Sequence, residues 1–238
     1  MSESQHTIAG TVLIMPVRVR KADVHSAMFT VDAGAAQRLI DYSGLKVFEI
    51  RSGRAVVNLL LTRFVECDLG CYNEFSFCVM VAPPGAKIGG LRAFGDAGTF
   101  VHRMLVDQSF TLEAGRKIWG YPKILADFTV REGNPFGFDV RVDGSLLVDM
   151  TIGRGLPVPM PSRPQSLLTY TNIDGTTRET AAEQTSTGMH ARIGGATLKL
   201  GDHAYAQELA SLGLPKRAMA CMSIDNADMT FGDCREVG

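Results

Sequence analysis

Short runs of alternating apolar and polar residues dominate the chain, separated by clusters of glycine, proline, asparagine and aspartate. A period of two residues is typical of β-strands that bury one face. The pattern predicts strands over residues 45–50, 55–65, 72–81, 99–106, 124–131, 136–142, 145–152, 167–173 and 176–186. Several of the junctions carry Asp-Gly pairs, which are typical of hairpins. We therefore expect a mainly β protein.

Two short segments have helical character. Asp32 is a candidate N-cap for a helix over residues 33–40. Asp202 is a candidate N-cap for residues 203–212, where apolar residues recur at helical spacing. A few short helices added to extensive sheet predict an α+β fold that is mainly β.

The amino-terminal residues alternate less regularly. Residues 1–10 are polar and are interpreted as a flexible tail. Residues 14–19 alternate but contain Pro16, which cannot donate a ladder hydrogen bond, so they are predicted to form an edge strand.

Composition narrows the range of functions. The 238 residues are expected to form a single domain over residues 1–238. The net charge is -1 without a run of like charges, which disfavours partners such as nucleic acid or an anionic membrane. No apolar run is long enough to span a bilayer, and the first ten residues lack a signal-peptide core, so we expect a cytoplasmic protein. Five cysteines without paired Cys-x-x-Cys units fit a reducing compartment and give no zinc pattern.

The stretch Gly-Arg-Lys-Ile-Trp-Gly-Tyr-Pro-Lys, residues 115–123, places Lys123 among apolar neighbours. Burial disfavours the charged form of a lysine and favours the neutral, nucleophilic amine. Pro122 and two glycines give this segment a defined backbone path. The alternative interpretation is an exposed charge at the edge of the strand over residues 124–131. Lys117 is a competing amine in the same segment.

Two motifs resemble the acetoacetate decarboxylase family. They are Ala-Gly-Arg with Tyr-Pro-Lys, over residues 114–123, and Leu-Gly-Cys-Tyr-Asn-Glu, over residues 69–74. The likeness extends over roughly residues 25–230. The resemblance implies a curved sheet closing into a cone-like β-barrel, with Lys123 forming a Schiff base and Glu74 lying beside it as the proton carrier. It also implies a homo-oligomer, a small keto acid or ketone as substrate, and no metal or organic cofactor.

Four further residues are candidates for substrate binding. Arg116, Trp119 and Tyr121 lie in the lysine segment, and Arg103 lies in the predicted strand over residues 99–106. Arg103 has apolar neighbours on its own face, which fits either a carboxylate-binding arginine or one whose head reaches the rim.

The sequence departs from the family pattern at three positions. Ile124 follows the nucleophile where the family has a second lysine, and Thr30 and Leu59 are assigned to positions of an arginine and a second carboxylate. Loss of these groups leaves two catalytic outcomes open: decarboxylation of a keto acid, or an aldolase-dehydratase reaction of a 2-oxo acid with an aldehyde. A third hypothesis is a non-catalytic small-molecule binding or biosynthetic accessory protein.

Overall fold

The computed structural model describes residues 4–86, 89–160 and 163–237. The helices are α1 (Ala33–Ile40), α2 (Ser109–Ala114) and α3 (Ala204–Ser211), with 3₁₀ turns at Asp41–Ser43 and Leu91–Asp96 and a π-helical turn at Gly115–Trp119. The strands are β1 (Gln5–Ile8), β2 (Thr11–Ile14), β3 (Val17–Asp32), β4 (Lys46–Val47), β5 (Glu49–Arg51), β6 (Arg54–Cys67), β7 (Tyr72–Ala82), β8 (Gly98–Val106), β9 (Lys123–Leu125), β10 (Asp127–Arg131), β11 (Phe136–Val142), β12 (Ser145–Ile152), β13 (Leu156–Pro157), β14 (Gln165–Ile173), β15 (Thr176–Ile193), β16 (Ala196–Leu200) and β17 (Ala220–Glu236).

A closed barrel forms the centre of the structure. Its strands follow the order β7, β6, β3, β17, β15, β14 and β8, and pairing of β8 with β7 closes the ring. The short strand β9 lies parallel to β8, which pairs Lys123 with Met104. A separate sheet of β10, β11, β12 and β16 packs on the barrel. The prediction of a mainly β, barrel-forming fold with few short helices is therefore confirmed.

The strands of the barrel separate two apolar cores. On β7, Phe75, Phe77 and Val79 join the outer core with the separate sheet, α1 and α3. Tyr72 and Cys78 on the same strand belong to the second core, which fills the barrel interior and is covered by α2 and the β1–β2 hairpin. Because successive side chains on a strand point to opposite faces, Glu74 also points inward. Alternation in the strand predicted over residues 72–81 puts Glu74, Ser76 and Cys78 on one face and Phe75, Phe77 and Val79 on the other, in agreement with the structure.

Local sequence signals placed α1 well. The Asp32 carboxylate accepts a hydrogen bond from the backbone N–H of Ala35 at 2.8 Å, so the predicted N-cap is confirmed. In α3 the cap differs from the prediction: His203, rather than Asp202, is the N-cap, and its Nδ1 accepts a hydrogen bond from the N–H of Tyr205.

The amino-terminal predictions need correction. Residues 5–8 are not a flexible tail, because they pair with β2 and Ile8 is buried in the inner core. The strand predicted over residues 14–19 is not an edge strand either. Pro16 lies before β3, which starts at Val17 and pairs with β17 on one side and β6 on the other. The proline therefore costs no ladder hydrogen bond.

The segment around Lys123 also differs from expectation. The strand predicted over residues 124–131 is divided at Ala126 into β9 and β10, which belong to different sheets. The preceding α2 helix was not predicted. None of the helices within the described residues is both long and apolar enough to cross a membrane.

Candidate active site

A π-helical turn brings the chain from α2 to Lys123. Gln108 caps α2 by accepting the N–H of Thr111 at 2.8 Å, and the helix widens into the π-helical turn at Gly115. Gly120 then takes a φ of 68°, a conformation that other residues rarely adopt, and ends the turn. Backbone hydrogen bonds from Tyr121 to Gly115 and from Lys123 to Tyr121 fix the return of the chain into the barrel.

Gly115 lies directly against the stem of Lys123. A Cβ added to Gly115 would lie 2.6 Å from both Cδ and Cε of Lys123, closer than packed carbon atoms approach. The missing side chain therefore makes room for the lysine stem. This contact gives a physical reason for a glycine eight positions before the lysine.

Lys123 and Glu74 form a buried ion pair. Lys123 Nζ lies 2.8 Å from Glu74 Oε2 and donates a hydrogen bond to Thr111 Oγ1 at 3.0 Å. Lys123 is 2% exposed and Glu74 is 9% exposed. Taking two charges from water costs free energy that their attraction offsets only when the geometry is good. The interpretation of Lys123 as an exposed edge charge is therefore wrong.

Two phenols surround the pair. The Tyr72 and Tyr121 rings lie 5.3 Å and 6.0 Å from Lys123 Nζ. Burial raises the pKa of the Tyr72 phenol well above its usual range, and the Glu74 charge adds to the increase. Burial also raises the pKa of the Tyr121 phenol, whose oxygen lies 3.0 Å from Thr169 Oγ1. Both phenols are therefore protonated at neutral pH.

The Lys123–Glu74 pair can exist as an ion pair or, after one proton moves, as a neutral pair, with little change in the positions of its heavy atoms. Burial disfavours the ammonium and the carboxylate together, whereas their mutual attraction favours both charges. Transfer of one proton from Lys123 Nζ to Glu74 Oε2 leaves a neutral amine beside a neutral acid. Since the two atoms are within hydrogen-bonding distance, this transfer needs no rearrangement. The arrangement can therefore supply a nucleophilic amine and an adjacent proton donor.

Other predicted site residues lie around the cluster rather than in it. Arg116 Nε donates to the backbone oxygen of Lys123 at 2.8 Å, so this arginine braces the main chain at the lysine. Trp119 is buried and its Nε1 donates to the oxygen of Gly232 at 2.7 Å. Of the four residues predicted to bind substrate, only Tyr121 directs its ring toward the amine of Lys123.

The structure does not bring Arg103 together with Lys123. Arg103 Nε and Nη2 donate to the two carboxylate oxygens of Glu208 in α3, at 3.0 Å and 2.5 Å, and its guanidinium lies 4.3 Å from the centre of the Tyr205 ring. A register shift between β7 and β8 at Phe77 accompanies this orientation. Arg103 binds a carboxylate of the protein itself, so we do not retain it as a substrate-binding residue.

Sequence reasoning missed Thr111, because α2 was not predicted. A signal was present: Thr111 and Gly115 are four residues apart, which places them on one face of a helix. Recognition of that helix would have placed the Thr111 hydroxyl next to the surface that Gly115 offers to the lysine.

The two residues assigned to family positions, Thr30 and Leu59, both lie away from the Lys123–Glu74 pair. Leu59 pairs with Phe77 and is buried in the outer core, so it does not face Glu74. Thr30 lies four residues along β3 from Ser26, about 13 Å away at the usual strand rise. Ser26 is the β3 residue in the row that leads across the barrel from Lys123.

The row that faces Lys123 is uncharged. From Lys123 the strand register runs through Met104, Ser76, Leu60 and Ser26. Among the described residues, no arginine forms an ion pair with Glu74. Within residues 4–86, 89–160 and 163–237, no group of three or more histidine, cysteine, aspartate or glutamate residues is arranged to hold a metal ion. The described residues of this row therefore add only neutral side chains to the amine of Lys123 and the carboxyl group of Glu74.

Comparison with known proteins identifies relatives of this architecture. Residues 6–234 match the family described as acetoacetate decarboxylase (ADC). A search of curated protein sequences found no match. Among solved structures, acetoacetate decarboxylase from Legionella pneumophila subsp. pneumophila str. Philadelphia 1 is 21% identical, with a TM-score of 0.68, over 94% of this chain and 87% of that chain.

Two ADC-like enzymes have similar folds. An acetoacetate decarboxylase-like enzyme from Sphingomonas wittichii RW1 is 15% identical, with a TM-score of 0.61, over 92% of this chain and 93% of that chain. The enduracididine biosynthesis enzyme MppR, complexed with the condensation product of pyruvate and imidazole 4-carboxaldehyde, is 16% identical, with a TM-score of 0.63, over 93% of this chain and 88% of that chain. At these identities the similarity establishes a shared fold.

Proposed function

The chain belongs to the acetoacetate decarboxylase family, and we propose that it is a lyase that forms an imine between Lys123 and a small ketone or keto acid. One observation carries the proposal: a lysine that is 2% exposed has its amine 2.8 Å from a buried carboxyl group inside the barrel. Well-packed apolar residues of similar volume often stabilise a protein as much as a buried ion pair does. Stability alone therefore does not explain why this pair is present.

The proposed reaction begins with proton transfer from Lys123 to Glu74. The neutral amine attacks the substrate carbonyl carbon, and a proton passes from the attacking nitrogen to the carbonyl oxygen to give a carbinolamine. Loss of water, assisted by the proton on Glu74, breaks the carbon–oxygen bond and leaves a protonated imine. That imine accepts the electron pair of a breaking carbon–carbon bond, or releases a proton to give an enamine. Water finally hydrolyses the product imine and restores the Lys123 amine.

The residues that line the interior bear on which reaction follows imine formation, decarboxylation or an aldolase-dehydratase reaction. Decarboxylation requires the substrate carboxylate to be held out of the imine plane, and a cation is the group that holds it best. The neutral row of Met104, Ser76, Leu60 and Ser26 favours instead an enamine that attacks a second carbonyl compound, followed by dehydration. MppR, which has a similar fold, binds the condensation product of pyruvate and imidazole 4-carboxaldehyde, and this supports the proposal. We therefore place aldolase-dehydratase chemistry first and decarboxylation second.

Borohydride reduction tests the proposal directly. In the presence of pyruvate or acetoacetate, we expect reduction to add the mass of the keto acid less one oxygen atom to one tryptic peptide, at Lys123, because imine formation expels water. Lys117 is the internal control, because its side chain is 59% exposed and its amine is 2.6 Å from Glu113. Label on Lys117 alone, or no label with any keto acid, would contradict the mechanism and leave a binding protein as the better hypothesis.

Glu74→Gln is expected to slow turnover by about a hundredfold to ten-thousandfold, the usual contribution of a positioned acid or base. Imine formation should also become slower, because glutamine neither takes the proton of Lys123 nor assists loss of water, but the final extent of imine trapping after long incubation should fall much less than turnover. Glu113→Gln is the matched control: it removes the carboxylate from the exposed ion pair with Lys117 and should leave turnover unchanged. Equal turnover in Glu74→Gln and the wild type, measured by product formation, would remove Glu74 from the mechanism.

A further inference from the structure

A cavity of about 430 Å³ lies outside the barrel, where the outer face of β3, β6 and β17 meets the loop before β11. Its floor includes His25 and Ser223, and charged residues line its walls. Lys123 and Glu74 do not line this cavity. It is therefore separate from the proposed active site.

The floor holds two polar atoms without a hydrogen-bond partner among the described residues: His25 Nδ1 and Ser223 Oγ. The two residues are opposite each other on β3 and β17, so their side chains are neighbours on one face of the sheet. Ser223 is 6% exposed. Leaving a buried polar atom unpaired costs free energy. Two such neighbours at the base of one cavity indicate a ligand with polar groups.

The walls carry charges of both signs. On one side Arg63 lies 2.7 Å from Glu132 and 3.8 Å from Asp23. On the other side Arg154 lies 2.6 Å from Asp225.

Each guanidinium makes these contacts through one terminal nitrogen, Nη1 of Arg63 and Nη2 of Arg154. The Arg154 Nη2 atom also lies 3.2 Å from His190. Donors therefore remain on both arginines for a further partner.

Charge balance selects the class of ligand. Burial lowers the pKa of His25 to about 4, so this imidazole is neutral at pH 7. Burial raises the pKa of Asp23, and the charge of the nearby Arg63 opposes that increase. Each wall places an arginine beside at least one carboxylate, so both signs of charge are present on each side of the cavity. A ligand that carries one charge of each sign can therefore pair with both kinds of group.

We propose that this cavity binds a small zwitterion carrying an ammonium and a carboxylate group, that is, a free α-amino acid. The carboxylate accepts hydrogen bonds from the spare donors of Arg63 and Arg154. The ammonium donates to the carboxylates of Asp225 and Asp23. Polar atoms of the ligand contact His25 Nδ1 and Ser223 Oγ on the floor.

Thermal unfolding of the full chain with the common L-amino acids as probes tests the proposal. At least one amino acid at about a hundred times its Kd should raise Tm by roughly 5–10 °C for a chain of this size. Its methyl ester lacks the carboxylate charge and its N-acetyl derivative lacks the ammonium, so each should give less than a third of that shift.

Two variants locate the effect. Ser223→Val removes the unpartnered hydroxyl, and Arg154→Met removes one wall guanidinium; each should weaken binding at least tenfold. Arg141→Met is the matched control, because Arg141 is 46% exposed and paired with Asp139, as Arg154 is 48% exposed and paired with Asp225.

Three results would overturn the proposal: no shift with any amino acid, equal shifts with the ester or the N-acetyl derivative, or an unchanged shift in Arg154→Met. The exposed Arg154 position decides the question even where Ser223→Val fails to fold. Retained imine trapping on Lys123 in these variants would separate this site from the proposed catalytic one.

Discussion

Lys123→Arg is expected to abolish turnover, by about ten-thousandfold or more, because loss of the nucleophile removes the covalent pathway entirely. Arginine keeps the positive charge that faces Glu74 but cannot form an imine with a ketone. The variant therefore separates the charge of Lys123 from its nucleophilicity. Product formation and borohydride trapping should both disappear while circular dichroism shows a folded protein.

Lys117→Arg is the matched control. Lys117 lies in the π-helical turn that precedes Lys123, but its amine is exposed and forms an ion pair with Glu113. Turnover in this variant should stay within about threefold of the wild type, the usual range for a solvated residue. A large loss in Lys117→Arg with full activity in Lys123→Arg would exchange the roles of the two lysines and invalidate the proposed site.

The sequence predicted those parts of the fold that depend on local periodicity. Alternation along β7 correctly placed Phe75 and Phe77 opposite Glu74, because a strand directs successive side chains to opposite faces. The cap at Asp32 was also predictable from local sequence, because a capping side chain binds backbone N–H groups only a few residues away. Closure of the barrel was expected only through the family resemblance.

Contacts between distant segments could not be predicted in this way. Arg103 lies on the outer face with Leu105, and its partner Glu208 is more than a hundred residues away in the sequence. The face on which Leu59 lies was equally hard to predict, since a shift of one residue along a strand moves a side chain to the other face. The Thr111 hydroxyl was missed because six residues of helix give little periodic signal.

The neutral row that faces Lys123 predicts a second large effect, on the rate of decarboxylation. A charge-assisted hydrogen bond to a carboxylate is worth about 1.5–3 kcal/mol, so a site that lacks one should lose roughly tenfold to a hundredfold in the rate of decarboxylation. Arg103 cannot supply that bond without leaving Glu208, and Arg116 is engaged with the backbone of Lys123. Decarboxylation of acetoacetate therefore lacks its main source of orientation.

We expect CO₂ release from acetoacetate to be at least about tenfold slower than imine formation on Lys123. When pyruvate is offered with an aldehyde, a condensation or dehydration product should accumulate, because an enamine needs no carboxylate clamp to attack a second carbonyl group. The measurement is CO₂ evolution and product analysis on the same preparation, with Lys123→Arg as the blank. Efficient acetone formation from acetoacetate would reverse the order of the two reactions. It would also require one arginine to leave its partner, and loss of activity in Arg103→Lys or Arg116→Lys would then identify which.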